Sequence, residues 1–206
     1  MLKTRRQQRG DTLIEVLFAF TVFSLVVVGS ISIMNQGTVA AQRALETTVV
    51  RSEIDAQATA LRFLHDAYVA KFEPDVTYAA NTPAGQWVAM TTNTRGSASP
   101  FGGSTSCPAA PSGSFILNAG TAQYVGASNK LVQADGIAKV RYDASSNGLI
   151  DSQGIWIEAI RSVADADVNK RNTRYIDFHV RACWDSPGGG VPMTLGTIVR
   201  LYEPRS

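Results

Sequence analysis

Hydrophobic and polar positions divide this chain into three stretches. From Leu13 to Met34 nearly every residue is apolar, and Glu15 is the one charge among 22 residues. At about 1.5 Å rise per residue, a helix of that length spans roughly 30 Å, the thickness of a hydrocarbon core. From Asn35 to Glu73 the pattern becomes amphipathic. Val50, Ile54, Ala58, Leu61, Leu64 and Tyr68 recur at steps of three and four, with Arg51, Glu53, Asp55, Arg62 and Asp66 between them. Pro74 marks the stop. Beyond it, short β-type runs alternate with Gly, Pro, Asn and Ser. The pattern predicts an α+β fold, with a long N-terminal helix (membrane-spanning half plus amphipathic half) packed on an antiparallel β-sheet head.

The predicted strands are Trp87–Thr91, Phe115–Leu117, Gln123–Val125, Ile137–Tyr142, Ile155–Ile160, Tyr175–Cys183 and Thr197–Tyr202. The run from Tyr175 is the clearest: Ile176, Phe178, Val180 and Ala182 alternate with Tyr175, Asp177, His179 and Arg181. Thr92 to Ser114 reads as a long Gly-, Ser-, Thr- and Pro-rich loop, of the length that is functional or mobile.

Charge sharpens the N-terminal picture. Lys3, Arg5, Arg6 and Arg9 precede Gly10 with no acid among them. The formal charge of +2 belongs to this leader; without residues 1–10 the chain carries 15 basic and 17 acidic residues. The rest shows no basic stripe of the kind that binds nucleic acid. Basic residues beside an apolar span stay in the cytoplasm, which places the C-terminal part outside. A secretory signal peptide cut near Val39-Ala40-Ala41 would have a shorter apolar core. A plain single-span anchor explains the length, but neither Glu15 nor the abrupt Arg9-Gly10 junction. A lone carboxylate in hydrocarbon costs several kcal/mol, so Glu15 either snorkels to the interface or has a partner.

Gly10, followed by Asp11-Thr12-Leu13-Ile14-Glu15-Val16-Leu17 and the long apolar run, resembles the N-terminus of type IV pilin-like proteins, the prepilins and pseudopilins. The resemblance covers about 25 residues and leaves the head aside. It implies cleavage after Gly10 by a prepilin peptidase and a mature N-terminus at Asp11, methylated. It gives Glu15, the fifth residue after Gly10, the role of pairing with the amine of a neighbouring subunit and setting register. The partners it implies are other pilin subunits and the inner-membrane pilus assembly machinery. The subunit would first be a single-pass membrane protein with cytoplasmic N-terminus and extracytoplasmic head, and later part of a cell-surface filament. Family members usually carry an apolar residue where Asp11 stands, which favours a minor pilin over the bulk subunit. A type II secretion pseudopilin is the alternative within the class. A membrane-anchored binding or adhesion domain that never polymerises is the alternative outside it. The resulting segments are a basic leader (1–10), a transmembrane and filament-core helix (11–34), an amphipathic helix (35–73) and a β-rich head (74–206).

Other candidate chemistry is sparse. Cys107 and Cys183 fit one disulfide in an exported chain, with two reduced thiols as the alternative. A bridge would close a loop of about 75 residues, worth on the order of 4 kcal/mol. Their spacing fits no zinc site. His65 reads as a solvated helix residue, and His179 lies on a different element. No nucleophile-elbow, zincin or phosphate-loop motif occurs, so the chain reads as no enzyme and needs no cofactor or metal. Asp143, Ser145, Asn147 and Gly148 faintly resemble a calcium loop, but Gly154 replaces its closing acid; a polar turn is the plainer reading. Nothing in the sequence identifies a ligand for the head.

Overall fold

The structure is a computed structural model that describes residues 12–103, 105–126, 129–161, 174–188 and 190–204. It divides into two compact units, residues 1–42 and 43–206. Helix α1 (Thr12–Ala70) belongs to both. Helix α2 (Pro83–Thr91) and eight strands follow: β1 (Phe115–Asn118), β2 (Gln123–Gly126), β3 (Leu131–Val132), β4 (Lys139–Tyr142), β5 (Leu149–Gln153), β6 (Ile155–Arg161), β7 (Tyr175–Trp184) and β8 (Met193–Tyr202). The fold is the expected α+β arrangement, a long N-terminal helix whose later turns pack on an antiparallel sheet.

In the first unit, every described side chain from Leu13 to Thr38 is exposed, including Phe18, Phe20, Phe23 and Ile33. No proline interrupts α1. Thr21, Ser30 and Thr38 bond back onto the helix. Thr21 Oγ1 donates to Phe18 O at 2.7 Å, and Ser30 Oγ to Val26 O at 2.7 Å. Such back-bonding removes the cost of carrying a hydroxyl into an apolar surround.

In the second unit, α1 buries the stripe Val50, Ile54, Gln57, Ala58, Leu61 and Leu64. The stripe packs against the inner-face residues Ile157, Ile176, Phe178 and Val180 of the main sheet. Leu61 and Leu64 are fully buried, and truncating either to Ala costs about 2–5 kcal/mol. α1 ends three residues short of the expected Glu73. Pro74 biases Glu73 away from helical geometry, and Asp75 adopts φ 62°. The Tyr78 hydroxyl finishes the end, accepting from Glu73 N–H at 3.0 Å and donating to Lys71 O at 2.8 Å.

The main sheet has five strands in the order β2-β1-β6-β7-β8, all antiparallel. A smaller sheet, β3-β5-β4, joins a parallel and an antiparallel pair. Gly154 is the pivot between the sheets. Its φ is +68°, and a Cβ there would lie 2.3 Å from Cys183 O.

Two strand expectations need correction. Trp87–Thr91 is not a strand but the second half of α2. Thr82 caps α2, its hydroxyl accepting from Gly85 N–H at 3.2 Å, and Pro83 occupies the first turn. The apolar run that suggested a strand buries Trp87 and Met90 on one side of the helix instead. β8 starts at Met193 rather than Thr197, because β7 continues to pair with it as far as Trp184↔Met193. Between Asp143 and Gly148 the chain makes the polar turn of the plainer reading, and β5 follows it.

Candidate functional site

Two regions stand out, one in each unit. In the first, Glu15 sits in the opening turn of α1, exposed and flanked by exposed Leu13, Ile14, Val16, Leu17 and Phe18. A carboxylate in a first turn is favoured by the partial positive charge of the helix N-terminus. A helix that is apolar on all sides is stable only when something apolar surrounds it. α1 is the one helix among the described residues long and apolar enough to cross a membrane. Gly10 and Asp11, the expected processing site, lie outside the described residues.

In the second unit, the outer face of the main sheet is crossed by the segment after α2. Three attachments hold it. Arg95 bridges to β6, its N–H donating to Ala159 O at 2.8 Å while Arg161 N–H donates to Arg95 O at 3.0 Å. Next, Glu158 of β6 is wholly buried and gathers four donors. Arg181 Nη1 reaches Oε1 at 2.7 Å and Trp156 Nε1 reaches it at 3.3 Å. Arg95 Nη1 and Ser99 N–H reach Oε2 at 3.1 and 3.0 Å. The same Arg181 Nη1 also donates to Ser99 O at 2.8 Å. Phe101 completes this attachment, edge-on to Trp156 and under the Arg181 guanidinium at 4.8 Å. Last, Cys107 is bonded to Cys183, with Cα atoms 5.6 Å apart. The segment expected to be a mobile or functional loop is therefore stapled down over Arg95–Cys107.

The histidines are placed differently from the sequence expectation. His65 is not solvated. Its Nδ1 lies 3.2 Å from Asp66 Oδ1, its Nε2 lies 2.8 Å from Tyr202 O, and its ring meets Trp87 edge-on at 5.1 Å. His179, on the outer face, has its pKa lowered first by burial and then by the Arg181 charge. The two do not meet in one cluster, and among the described residues no three His, Cys, Asp or Glu side chains come together to hold a metal. Asp143 spends Oδ1 on its own turn, accepting from Ser145 N–H at 2.8 Å and Ser146 N–H at 3.0 Å. The Ser145 hydroxyl, which also donates to Oδ1, and then those two N–H bonds lower its pKa to about 2.

Sequence reasoning missed Gln57, Glu158 and Glu46. Glu46 Oε2 accepts from Trp184 Nε1 at 3.0 Å, tying α1 to the end of β7. Only Glu158 left a signal in the chain, as a lone acid inside the apolar run from Ile155 to Ile160.

Residues 5–31 match the family model described as the prokaryotic N-terminal methylation motif. No curated protein and no solved structure matches the chain. The matched residues take in the whole predicted cleavage junction, Glu15 and most of the exposed apolar part of α1.

Proposed function

We propose that this chain is a structural subunit of a type IV pilus-like filament, and a minor pilin. A prepilin peptidase cuts after Gly10. The apolar part of α1 anchors the subunit in the membrane and then polymerises with other pilins, through the pilus assembly machinery. Residues 1–10 are the leader, 11–34 the membrane and filament-core segment, 35–73 the amphipathic continuation and 74–206 the displayed head. The observation that carries this reading is a coincidence of two features. The methylation motif falls on residues 5–31, and the described part of that stretch, from Leu13 to Ile31, is helix with its apolar side chains exposed.

Glu15 provides the register. In hydrocarbon an unpaired carboxylate is unfavourable by several kcal/mol, and the positively charged N-terminus of an adjacent subunit relieves that cost. Asp11 supports the minor-subunit reading, since a second carboxylate beside the new amine competes with Glu15 of the neighbour. The chain's role is structural rather than enzymatic.

Mass spectrometry of the mature N-terminus tests the proposal. A methylated start at Asp11 is the expected result. A start at Met1, or one after Ala41, would overturn it. A processed chain that never leaves the membrane fraction would favour the anchored, non-polymerising binding domain.

A further inference from the structure

The two edges of the main sheet are finished differently. β2 is four residues long, and its Tyr124 N–H is taken by Gln86 Oε1 of α2 at 2.7 Å. β8 is ten residues long and contains neither Pro nor Lys. Its ladder with β7 runs without a bulge, and among the described residues no strand pairs with its far side. Protected edges are short, bulged, or carry charged residues or Pro; β8 is long and unbulged, and its one charge, Arg200, is held by Asp177 on β7.

The register shows which main-chain groups are open. Glu203 N–H donates to Arg174 O at 2.9 Å, one step beyond the pair Tyr175↔Tyr202. Because antiparallel pairs alternate, Leu201, Val199, Thr197 and Leu195 turn their N–H and C=O groups toward β7. Thr194, Gly196, Ile198 and Arg200 turn theirs outward, and all four residues are exposed. Tyr202 also faces outward, and its C=O lies 2.8 Å from His65 Nε2, which caps that end of the edge.

We propose that the β8 edge is an interaction surface for a second copy of this chain, the two β8 strands pairing antiparallel about a two-fold axis at Ile198. The β2 edge is occupied by α2, so the long edge a second copy can offer is its own β8. The strand is self-complementary in that register. Ile198 faces itself, Gly196 faces Arg200, and Thr194 faces Tyr202, so a small residue meets a large one on either side of the centre. No like charges stand directly opposed. Arg200 is already neutralised by a two-pronged bond to Asp177, at 2.8 Å on both prongs. On the other face Leu195 meets Leu201 and Thr197 meets Val199, extending the apolar inner surface across the axis. That axis stands normal to the sheet, so the packed turns of α1 in the two copies run in opposite senses. The pairing does not depend on the filament reading. If subunits point the same way along a filament, it joins heads from separate filaments.

Engineered cysteines in the full-length protein, purified in detergent, test the pairing. Residues at a two-fold strand centre lie about 5.5 Å apart at Cα, within disulfide reach. Ile198→Cys is expected to give a cross-linked dimer on non-reducing gels. Thr194→Cys and Tyr202→Cys should cross-link when mixed and not alone. Thr197→Cys, opposite Val199, should not cross-link to itself. Ile198→Lys, which opposes two charges at the axis, should abolish the dimer seen by light scattering. A dimer that survives Ile198→Lys comes from another surface, such as the apolar part of α1, and overturns the proposal. So does an Ile198→Cys chain that stays uncross-linked, or one that cross-links to a different protein and not to itself. Because Ile198 is 60% exposed, these substitutions leave the core intact.

Discussion

Gln57 and Leu117 are joined by two hydrogen bonds: Gln57 Nε2 donates to Leu117 O at 2.8 Å, and Leu117 N–H donates to Gln57 Oε1 at 3.0 Å. One side-chain amide of α1 thereby serves as the missing strand neighbour of β1. β1 pairs with β6 only at Phe115↔Ile157, so Leu117 has no main-chain partner on that side. Both residues are fully buried, and water is no substitute. Gln57→Leu keeps the bulk but orphans a buried donor and a buried acceptor, each costing about 1–3 kcal/mol. Denaturant unfolding should show a loss of roughly 2–5 kcal/mol. A loss below about 1 kcal/mol would mean that the amide bonds contribute little.

Glu158→Ala leaves Arg181 buried without its carboxylate, and such a break costs about 3–5 kcal/mol. It should also loosen the covering segment. Hydrogen exchange at the Arg95, Ser99 and Arg161 amides is expected to speed up well ahead of exchange in the β7–β8 ladder. Uniform acceleration across the head would contradict a local staple.

Replacing both Cys107 and Cys183 by Ser releases a cross-link between residues 76 apart in sequence. The unfolded chain regains entropy worth about 4 kcal/mol. The midpoint of unfolding should fall in the variant, and the wild-type protein under reductant should match it. Equal stability of oxidised and reduced protein would refute the estimate.

Glu15→Ala removes the carboxylate without shortening the apolar helix. Membrane insertion and cleavage after Gly10 should continue, while the sheared-filament fraction loses the subunit. Incorporation at the wild-type level would remove the register role.

Asp143 sets an acid-side dependence. Its folded pKa is about 2, below the ordinary carboxylate value, through bonds from Ser145 and then Ser146. A depressed carboxylate contributes stability that is present above its unfolded pKa and is lost as pH falls through its folded pKa. Stability should therefore decline between about pH 4 and pH 2, and Asp143→Asn should flatten that part of the profile. A side-chain titration with a midpoint near 4 would remove the cause.

The apolar stripe from Val50 to Leu64 and the alternation in β7 were legible because burial imposes periods of 3.6 and 2 on the sequence. The α2 segment resembles a strand in sequence because Trp87 and Val88 favour strands locally, while its helical start is set just upstream by Thr82 and Pro83. β5, Leu149–Gln153, was missed because most of it is polar; Ser152 is buried only because its hydroxyl donates to Ile155 O at 2.7 Å. Gln57 has no mark in the chain, since its role depends on Leu117 at a sequence separation of 60, whereas Glu158 shows as a lone acid in an apolar run but its partner Arg181, 23 residues away, does not show. The Gly10 junction stood at the opposite extreme: a contiguous motif, readable without any fold.

The order in which the ribosome releases this chain gives α1 an awkward interval. Val50, Ile54, Leu61 and Leu64 are made early, but their covering residues Ile176, Phe178, Val180 and Val199 come near the end. β1 likewise waits for β6, and Cys107 waits for Cys183. Until β7 and β8 exist, the stripe has no surface to close against, and a nascent chain in that condition is prone to aggregate. Truncation anywhere before Trp184 therefore yields a sticky helix and not a smaller head.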